Sequence, residues 1–241
     1  MWVLLDIGST LIEGPPMGPG KRLVKHFGLD AEAAVALNRF LFQYPLEGPA
    51  ELAGFLIERC GVAAEAAVQA SVELWQAQAE ESWALPGAAD AIERLARAGV
   101  ARAYISNIWA PFYQGFERLF PDEARQQANF LSFRMGLSKP DPRFYRTALQ
   151  RLGIDPARAV MVGDTYENDI APARELGMKT VWVLHRPHKE THDLVRVLNG
   201  AAPAPDLTLA SIGHLYPVML ERLLAPGAAP ATPWSNPPRL V

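Results

Sequence analysis

The stretch Val3-Leu4-Leu5-Asp6-Ile7-Gly8-Ser9-Thr10-Leu11 narrows the choice of folds more than any other part of the chain. Its apolar run reads as a strand buried on both faces, the pattern of a parallel sheet covered by helices, and it ends in a carboxylate followed by small residues. A charge at that depth is costly unless it is paired or put to chemical use. Ligands of open α/β sheets sit beyond the carboxyl ends of the strands, so Asp6 stands where a ligand or metal could bind. A turn-capping aspartate is the plainer alternative, and the rest of the chain has to decide between them.

With 241 residues, half of them apolar, the chain can build a sizeable core, as one large domain or a domain with an insertion. A net charge of −3 with scattered Lys and Arg provides neither a basic stripe for nucleic acid nor a polybasic membrane anchor, which favours a small soluble ligand. Cys60 is the single cysteine, so intramolecular disulfides and thiolate metal sites are excluded; it is expected in a helical core. No window approaches a membrane span and the first residues enter a strand at once, so the expected location is cytoplasmic. Nothing in the sequence sets an oligomeric state.

After Thr10, the segment Leu11 to Gly20 is broken by prolines and glycines and reads as a hinge. From Lys21 to Trp83 the periodicity is helical. One helix carries Leu23, Val24 and Phe27; another, capped by Asp30, carries Val35, Leu37, Phe40 and Leu41. A third carries Leu52, Phe55, Leu56 and Cys60, and a fourth runs from Ala64 to Trp83. Together they predict a small bundle. From Leu85-Pro86-Gly87 onward, helices alternate with apolar β-branched strands, the order of a parallel sheet. Strands are expected at 101–105, 130–133, 160–162, 180–184 and 207–209, with glycines just past several helix ends. The expected fold is therefore α/β: a Rossmann-like parallel-sheet core formed by 1–14 and 86–224, with an α-helical unit at 15–85 inserted into it. The Pro/Ala-rich tail 225–241 has Trp234 as its one large apolar residue.

Separate strand ends and loops each deliver a polar residue: Asp6, then Ser106-Asn107, then Lys139-Pro140, then Gly163-Asp164-Thr165-Tyr166-Glu167-Asn168-Asp169. This ordered set resembles the haloacid dehalogenase-like (HAD) hydrolase superfamily, in members with a helical cap inserted after the first motif. Gly-Asp, three residues, then Asn-Asp is the most specific part, and the likeness extends over residues 1 to about 224. The resemblance implies a hydrolase, a phosphatase acting on a small phosphorylated metabolite. Asp6 would be the nucleophile that forms an aspartyl-phosphate. Ser106, Asn107 and Lys139 would face the phosphoryl group, with Lys139 also offsetting nearby carboxylates. Mg²⁺ would be held by Asp6, Asp164, Asp169 and the backbone carbonyl of Gly8. Asn107, with Thr10 and Asn168, also suits a role in holding loops. Each residue has a plainer reading when taken alone: Ser106 ends a strand, Lys139 is a loop lysine, and Asp169 sits in the first turn of a helix. His185, His188 and His192 read as a solvated loop.

The chain departs from the family at one place. Its phosphatases usually carry a second aspartate, followed by Gly, two residues after the nucleophile; here those positions are Gly8 and Ser9. The missing residue normally protonates the leaving alkoxide, work worth about 10²- to 10⁴-fold in rate. Three readings stay open: a phosphatase that is slow, prefers a good leaving group or takes its proton from elsewhere, with Glu13 near the hinge as a donor; dehalogenase or phosphonatase-like chemistry on the same scaffold; or a ligand-binding or regulatory protein. Dehalogenation needs no acid, but the acidic pair Asp164 and Asp169 suits a metal, and the only cap lysines, Lys21 and Lys25, lie at its start. Tyr44, Trp75 and Trp83 are candidates for a wall facing the substrate, with bundle core as their other reading. A positive φ at Gly8 would make an aspartate there strained.

Overall fold

The computed structural model describes residues 1–126 and 128–225. It begins with β1 (Trp2–Leu5), in which Val3, Leu4 and Leu5 are completely buried. A short β2 (Ile12–Glu13) leads to four helices, α1 (Pro19–Phe27), α2 (Ala31–Gln43), α3 (Pro49–Cys60) and α4 (Ala64–Glu80). The chain returns through β3 (Trp83–Ala84), antiparallel to β2, pairing Ile12 with Ala84 and Glu13 with Trp83. Thereafter come α5 (Ala88–Arg97), β4 (Ala101–Ser106), α6 (Ala110–Leu119), α7 (Pro121–Ala124), β5 (Asn129–Leu131), α8 (Ser132–Met135) and α9 (Pro142–Leu152). The last elements are β6 (Ala159–Gly163), α10 (Ala171–Glu175), β7 (Lys179–Val183), α11 (Thr191–Leu198), β8 (Leu207–Leu209) and α12 (Pro217–Leu224).

Six strands form one parallel sheet in the order β5-β4-β1-β6-β7-β8, so β1 lies centrally between β4 and β6. Side chains alternate across a strand. Val3 and Leu5 thus join Val160, Val162, Leu95, Phe116 and Leu220 on one face, while Leu4 joins Ala103, Ile105, Met161, Phe144 and Ala148 on the other. With helices covering both faces, this is the Rossmann-like α/β architecture expected from the sequence. The strand order reverses at β1, which puts the switch point, and the crevice it opens, at the end of that strand.

Helices α1 to α4 bury Leu23, Leu37, Leu41, Leu52, Leu56 and Leu74 against one another. Trp109, from the loop after β4, is buried in the same cluster, so this apolar layer continues into the sheet unit. Several local expectations are corrected. Helix α4 ends at Glu80, and Trp83 belongs to a strand, because the returning chain pairs with β2 there. Val35 is 71% exposed and lies outside the helix's apolar face. The strand expected at 130–133 stops at Leu131. The Ser132 hydroxyl bonds both the N–H and the C=O of Ile108, each at 3.0 Å, and Gly136 closes the following turn at φ 63°. Apart from Ala225, the tail 225–241 and its Trp234 lie outside the described residues.

The end of β6 depends on a missing side chain. Beyond Gly163 the chain turns through a π-helical segment, Tyr166–Ile170, that swings Asp169 back over the strand end. A Cβ on Gly163 would stand 2.3 Å from the Asp169 Cγ. Gly163→Ala is therefore expected to displace Asp169 and destabilise the protein by about 1–3 kcal/mol. Gly54→Ala, in the middle of α3 with open space around it, should stabilise by about 0.5–1 kcal/mol. Urea denaturation of both variants checks the contrast.

Candidate active site

Asp6 follows β1, and its N–H still donates to the Val162 carbonyl at 2.9 Å, so the carboxylate leaves the sheet from a fixed backbone. The chain then wraps over Ile7, whose carbonyl accepts from Leu11 N at 2.9 Å and Ile12 N at 3.1 Å. The Thr10 hydroxyl donates to Asp6 Oδ2 at 3.2 Å, which gives Thr10 the loop-holding part foreseen for it. The left-handed residue of this loop is Ser9, at φ 60°; Gly8 is not among the residues at positive φ. A Cβ on Gly8 would meet only Phe112 Cε1, at 4.0 Å. The expected obstacle to a side chain at Gly8 is thus absent.

Lys139 reaches in from the loop before α9. Its Nζ donates to Asp6 Oδ1 and to Asp169 Oδ1, both at 2.6 Å, and all three side chains are buried. Burial alone would favour the neutral amine, but Asp169 and Asp6 outweigh it and hold the ammonium above the ordinary lysine range. Asp169 is pushed up to about 6, chiefly by burial, against the pull of Lys139. Burial, then the charges of Asp6 and Asp169, push Asp164 well above the usual carboxylate range despite Arg186. Asp169 Oδ2 also accepts from Thr165 N at 3.0 Å, and Trp182 Nε1 donates to the Asp164 carbonyl at 2.8 Å, which fixes both ends of the turn.

Ser106 and Asn107 arrive at the end of β4, the neighbour of β1. The Ser106 Oγ is buried with no partner among the described residues, a polar atom left for a ligand to satisfy. Asn107 clamps the backbone of Lys139: its Nδ2 donates to the Lys139 carbonyl and its Oδ1 accepts from the Lys139 N–H, both at 2.8 Å. Tyr145 Oη donates to the carbonyl of Asn168, so that residue's backbone, too, helps hold a loop.

Sequence reasoning missed Arg186. Its Nη2 donates to Asp164 Oδ2 at 2.6 Å, and its Nη1 lies 3.4 Å from Glu13 Oε2. An isolated arginine in a polar loop after a strand carries no spacing signal that could have revealed this. His185 is corrected with it: its side chain is 18% exposed, with Nε2 3.4 Å from Glu13 Oε2, whereas His188 and His192 are exposed. Burial pulls the Glu13 carboxyl upward, but His185, Arg186, the Gly14 N–H and the Ser9 hydroxyl outweigh it and hold it below the ordinary range. A carboxylate so held is a poor proton donor near neutrality.

Beside this cluster opens a cavity of about 360 Å³, lined by Gly8 and Glu13 on the loop, Phe42 and Gln78 from the helices, Trp109 and Phe112, and Arg186. The aromatic wall is thus Trp109 and Phe112 from the sheet unit together with Phe42 from α2. Of the expected wall residues, Trp75 packs edge-on against Trp109 with ring centroids 5.6 Å apart, and Tyr44 and Trp83 are largely exposed. Asp6, Asp164 and Asp169 each bring one carboxylate oxygen within 4.8 Å of the others. Three buried carboxylates, of which Asp164 and Asp169 have a raised affinity for protons, are hard oxygen donors, and they fit a small divalent cation. Among the described residues, no helix is long and apolar enough to cross a membrane.

Comparison with known proteins bears on the same residues. A family model described as HAD-hydrolase-like matches residues 136–215, the part holding Lys139, Asp164, Asp169 and Arg186. The glyceraldehyde 3-phosphate phosphatase of Pyrococcus furiosus is 32% identical over 108 residues, 44% of this chain and 44% of that protein. The chain spans less than half the length of the first curated relatives it matches. A 2-haloacid dehalogenase from Pseudomonas syringae superposes with a TM-score of 0.60 at 21% identity, covering 92% of this chain and 98% of that one. A HAD family hydrolase from Deinococcus radiodurans, determined with bound phosphate and sodium, gives a TM-score of 0.56 at 21% identity, covering 92% and 96%. At such identity the structural likeness speaks for the fold. Residues 136–215 thus match the model of haloacid dehalogenase-like hydrolases, and the fold is the one found in solved structures of such hydrolases.

Proposed function

We propose that the protein is a Mg²⁺-dependent phosphatase acting on a small phosphorylated metabolite, with residues 15–85 serving as a cap over the site. The observation that carries this is the meeting of Asp6, Lys139, Asp164 and Asp169 beside a cavity of about 360 Å³. A carboxylate oxygen of Asp6 attacks phosphorus, the bond to the leaving oxygen breaks, and an aspartyl-phosphate forms. Water then attacks that phosphorus, releasing orthophosphate and restoring Asp6. Lys139 holds the Asp6 carboxylate in place for attack, and the unpartnered Ser106 hydroxyl donates to a phosphoryl oxygen. Asp6, Asp164 and Asp169, with the Gly8 carbonyl, would hold Mg²⁺, which would neutralise charge on the transferring group. The named phosphatase among the curated relatives supports the reaction class. Dehalogenation, which needs no metal, would give the buried pair Asp164 and Asp169 no part. The lack of an acid at Gly8 favours a second reading, ligand binding without turnover, and phosphate release with and without Mg²⁺ separates the two.

Asp6→Asn keeps the shape of the side chain but removes the nucleophile, so turnover should fall on the order of 10³-fold or more. Phosphate release by that variant at the wild-type rate would exclude an aspartyl intermediate.

The raised carboxyls make metal binding a matter of pH. A carboxyl whose folded pKa exceeds its unfolded value favours folding while protonated, and that contribution disappears as pH rises through the folded pKa, about 6 for Asp169. Mg²⁺ competes with protons for these oxygens. It should therefore raise the melting temperature more at about pH 7.5 than at about pH 5, and chelation should reverse the gain. Asp164→Asn should shrink the increment, as calorimetry at both pH values would show.

Gly8→Asp restores the family's usual residue at a position with room for it. The variant should hydrolyse alkyl phosphates faster while changing little on an activated aryl phosphate, whose phenolate departs without a proton. Steady-state kinetics on both ester classes, after a check of folding by circular dichroism, tests whether proton delivery limits the natural protein.

A further inference from the structure

The cavity raises a question about the oxygen that leaves. Gly8 supplies no acid, and Glu13, the nearest alternative, is held ionised by its partners. Among the described residues, the one cationic side chain that both lines the cavity and touches the carboxylate cluster is Arg186. Its guanidinium has five N–H donors. Nη2 is used by Asp164, Nη1 stands at the longer distance of 3.4 Å from Glu13, and Nε is buried with no partner among the described residues. Burying a guanidinium donor without a partner costs free energy, so the unused N–H is a place for a ligand oxygen. Glu13 fixes the group there: its Oε1 accepts from Ser9 Oγ at 3.2 Å, and its Oε2 faces His185 and Arg186. The guanidinium is thereby tethered to the loop that carries Gly8.

We propose that Arg186 is a catalytic residue that stabilises the leaving oxygen by charge and hydrogen bonding, in the place where the family's acid would give a proton. The inference rests on the phosphatase reading above. As the bond from Asp6 to phosphorus forms, the bond to the ester oxygen breaks, and that oxygen keeps the electron pair. The Arg186 N–H groups donate to the developing alkoxide, which takes its proton from a water molecule in the open cavity, and the resulting hydroxide is neutralised by solvent. Guanidinium does not give up its own proton near neutral pH, so the contribution is electrostatic. Glu13 is a positioning residue for it.

A group that stabilises the leaving oxygen matters most for poor leaving groups, which distinguishes this role from simple charge balance at Asp164. The test compares p-nitrophenyl phosphate with phenyl phosphate, esters of similar shape whose leaving phenols differ in acidity. Arg186→Met should lower kcat on phenyl phosphate by about 10²-fold and on p-nitrophenyl phosphate by less than about tenfold. Arg186→Lys, which keeps the charge without the fork, should fall between, and added guanidinium ion should restore part of the loss in the Met variant. Equal losses on both esters, with weakened Mg²⁺ binding, would make Arg186 a counter-charge for Asp164 and overturn the proposal, as would no loss at all. If the Met variant fails to fold, equal losses on both esters in the Lys variant overturn it in the same way. A wild-type protein that releases no phosphate from either ester overturns the phosphatase reading and this inference with it, whereas an active wild type whose variants lose rate equally removes only the role of Arg186.

Discussion

The Lys139 ammonium, 2.6 Å from both Asp6 and Asp169, is the contact on which the site's architecture rests. Buried carboxylates repel one another and resist ionisation, and a single buried cation shared by two of them offsets much of that penalty. Everything near it serves its placement. Asn107 grips the Lys139 backbone from the adjacent strand end, Gly163 leaves space for Asp169 to fold back, and Trp182 ties down the Asp164 carbonyl. Removing the lysine would leave two charges uncompensated in a water-poor crevice, a heavier loss than that of an exposed ion pair.

The sheet explains why these groups meet at all. With β1 central and neighbours on both sides, Asp6, Ser106 and the turn after Gly163 leave adjacent strands at the same edge, although they are separated by up to 163 residues of chain. The antiparallel pair β2–β3 then joins the α/β unit to the helical one, and the cavity lies where the two meet. Trp109 and Phe112 line it from the sheet side while packing into the helical cluster. A change of packing among the helices would therefore be felt at the cavity wall.

How far the sequence disclosed this arrangement depended on whether a residue's part was encoded in local pattern. Asp6, Asp164 and Asp169 were legible because they follow apolar strands or sit at fixed spacing in one motif, and the alternation of strands and helices implied the edge at which they converge. Lys139 was legible only in company with them. Arg186 was not: its partners Asp164 and Glu13 are 22 and 173 residues away, and no periodicity links them. Trp83 was misread because pairing with β2 at long range overrode the helical pattern. Val35 lies within the helix but outside its buried stripe, since an apolar residue on a helix need not face the core.

The departure at Gly8 gains meaning from the charges around it. Asp6, Asp164 and Asp169 face the Lys139 ammonium and a guanidinium that Arg186 shares with Glu13, so without a metal the pocket is short of positive charge. A further carboxyl at position 8, if ionised, would deepen that deficit. Without one, a cation held by the carboxylates would bring the pocket closer to balance, and the phosphoryl group would meet positive charge from Lys139 on one side and Arg186 on the other. Such a pocket can still favour a transition state in which charge moves to the leaving oxygen, because fixed cations stabilise that charge without giving up a proton themselves. Under the proposed phosphatase reading, the lack of an acid at position 8 would alter which step limits the rate and which leaving groups are tolerated, while Asp6 and its electrostatic setting would stay in place.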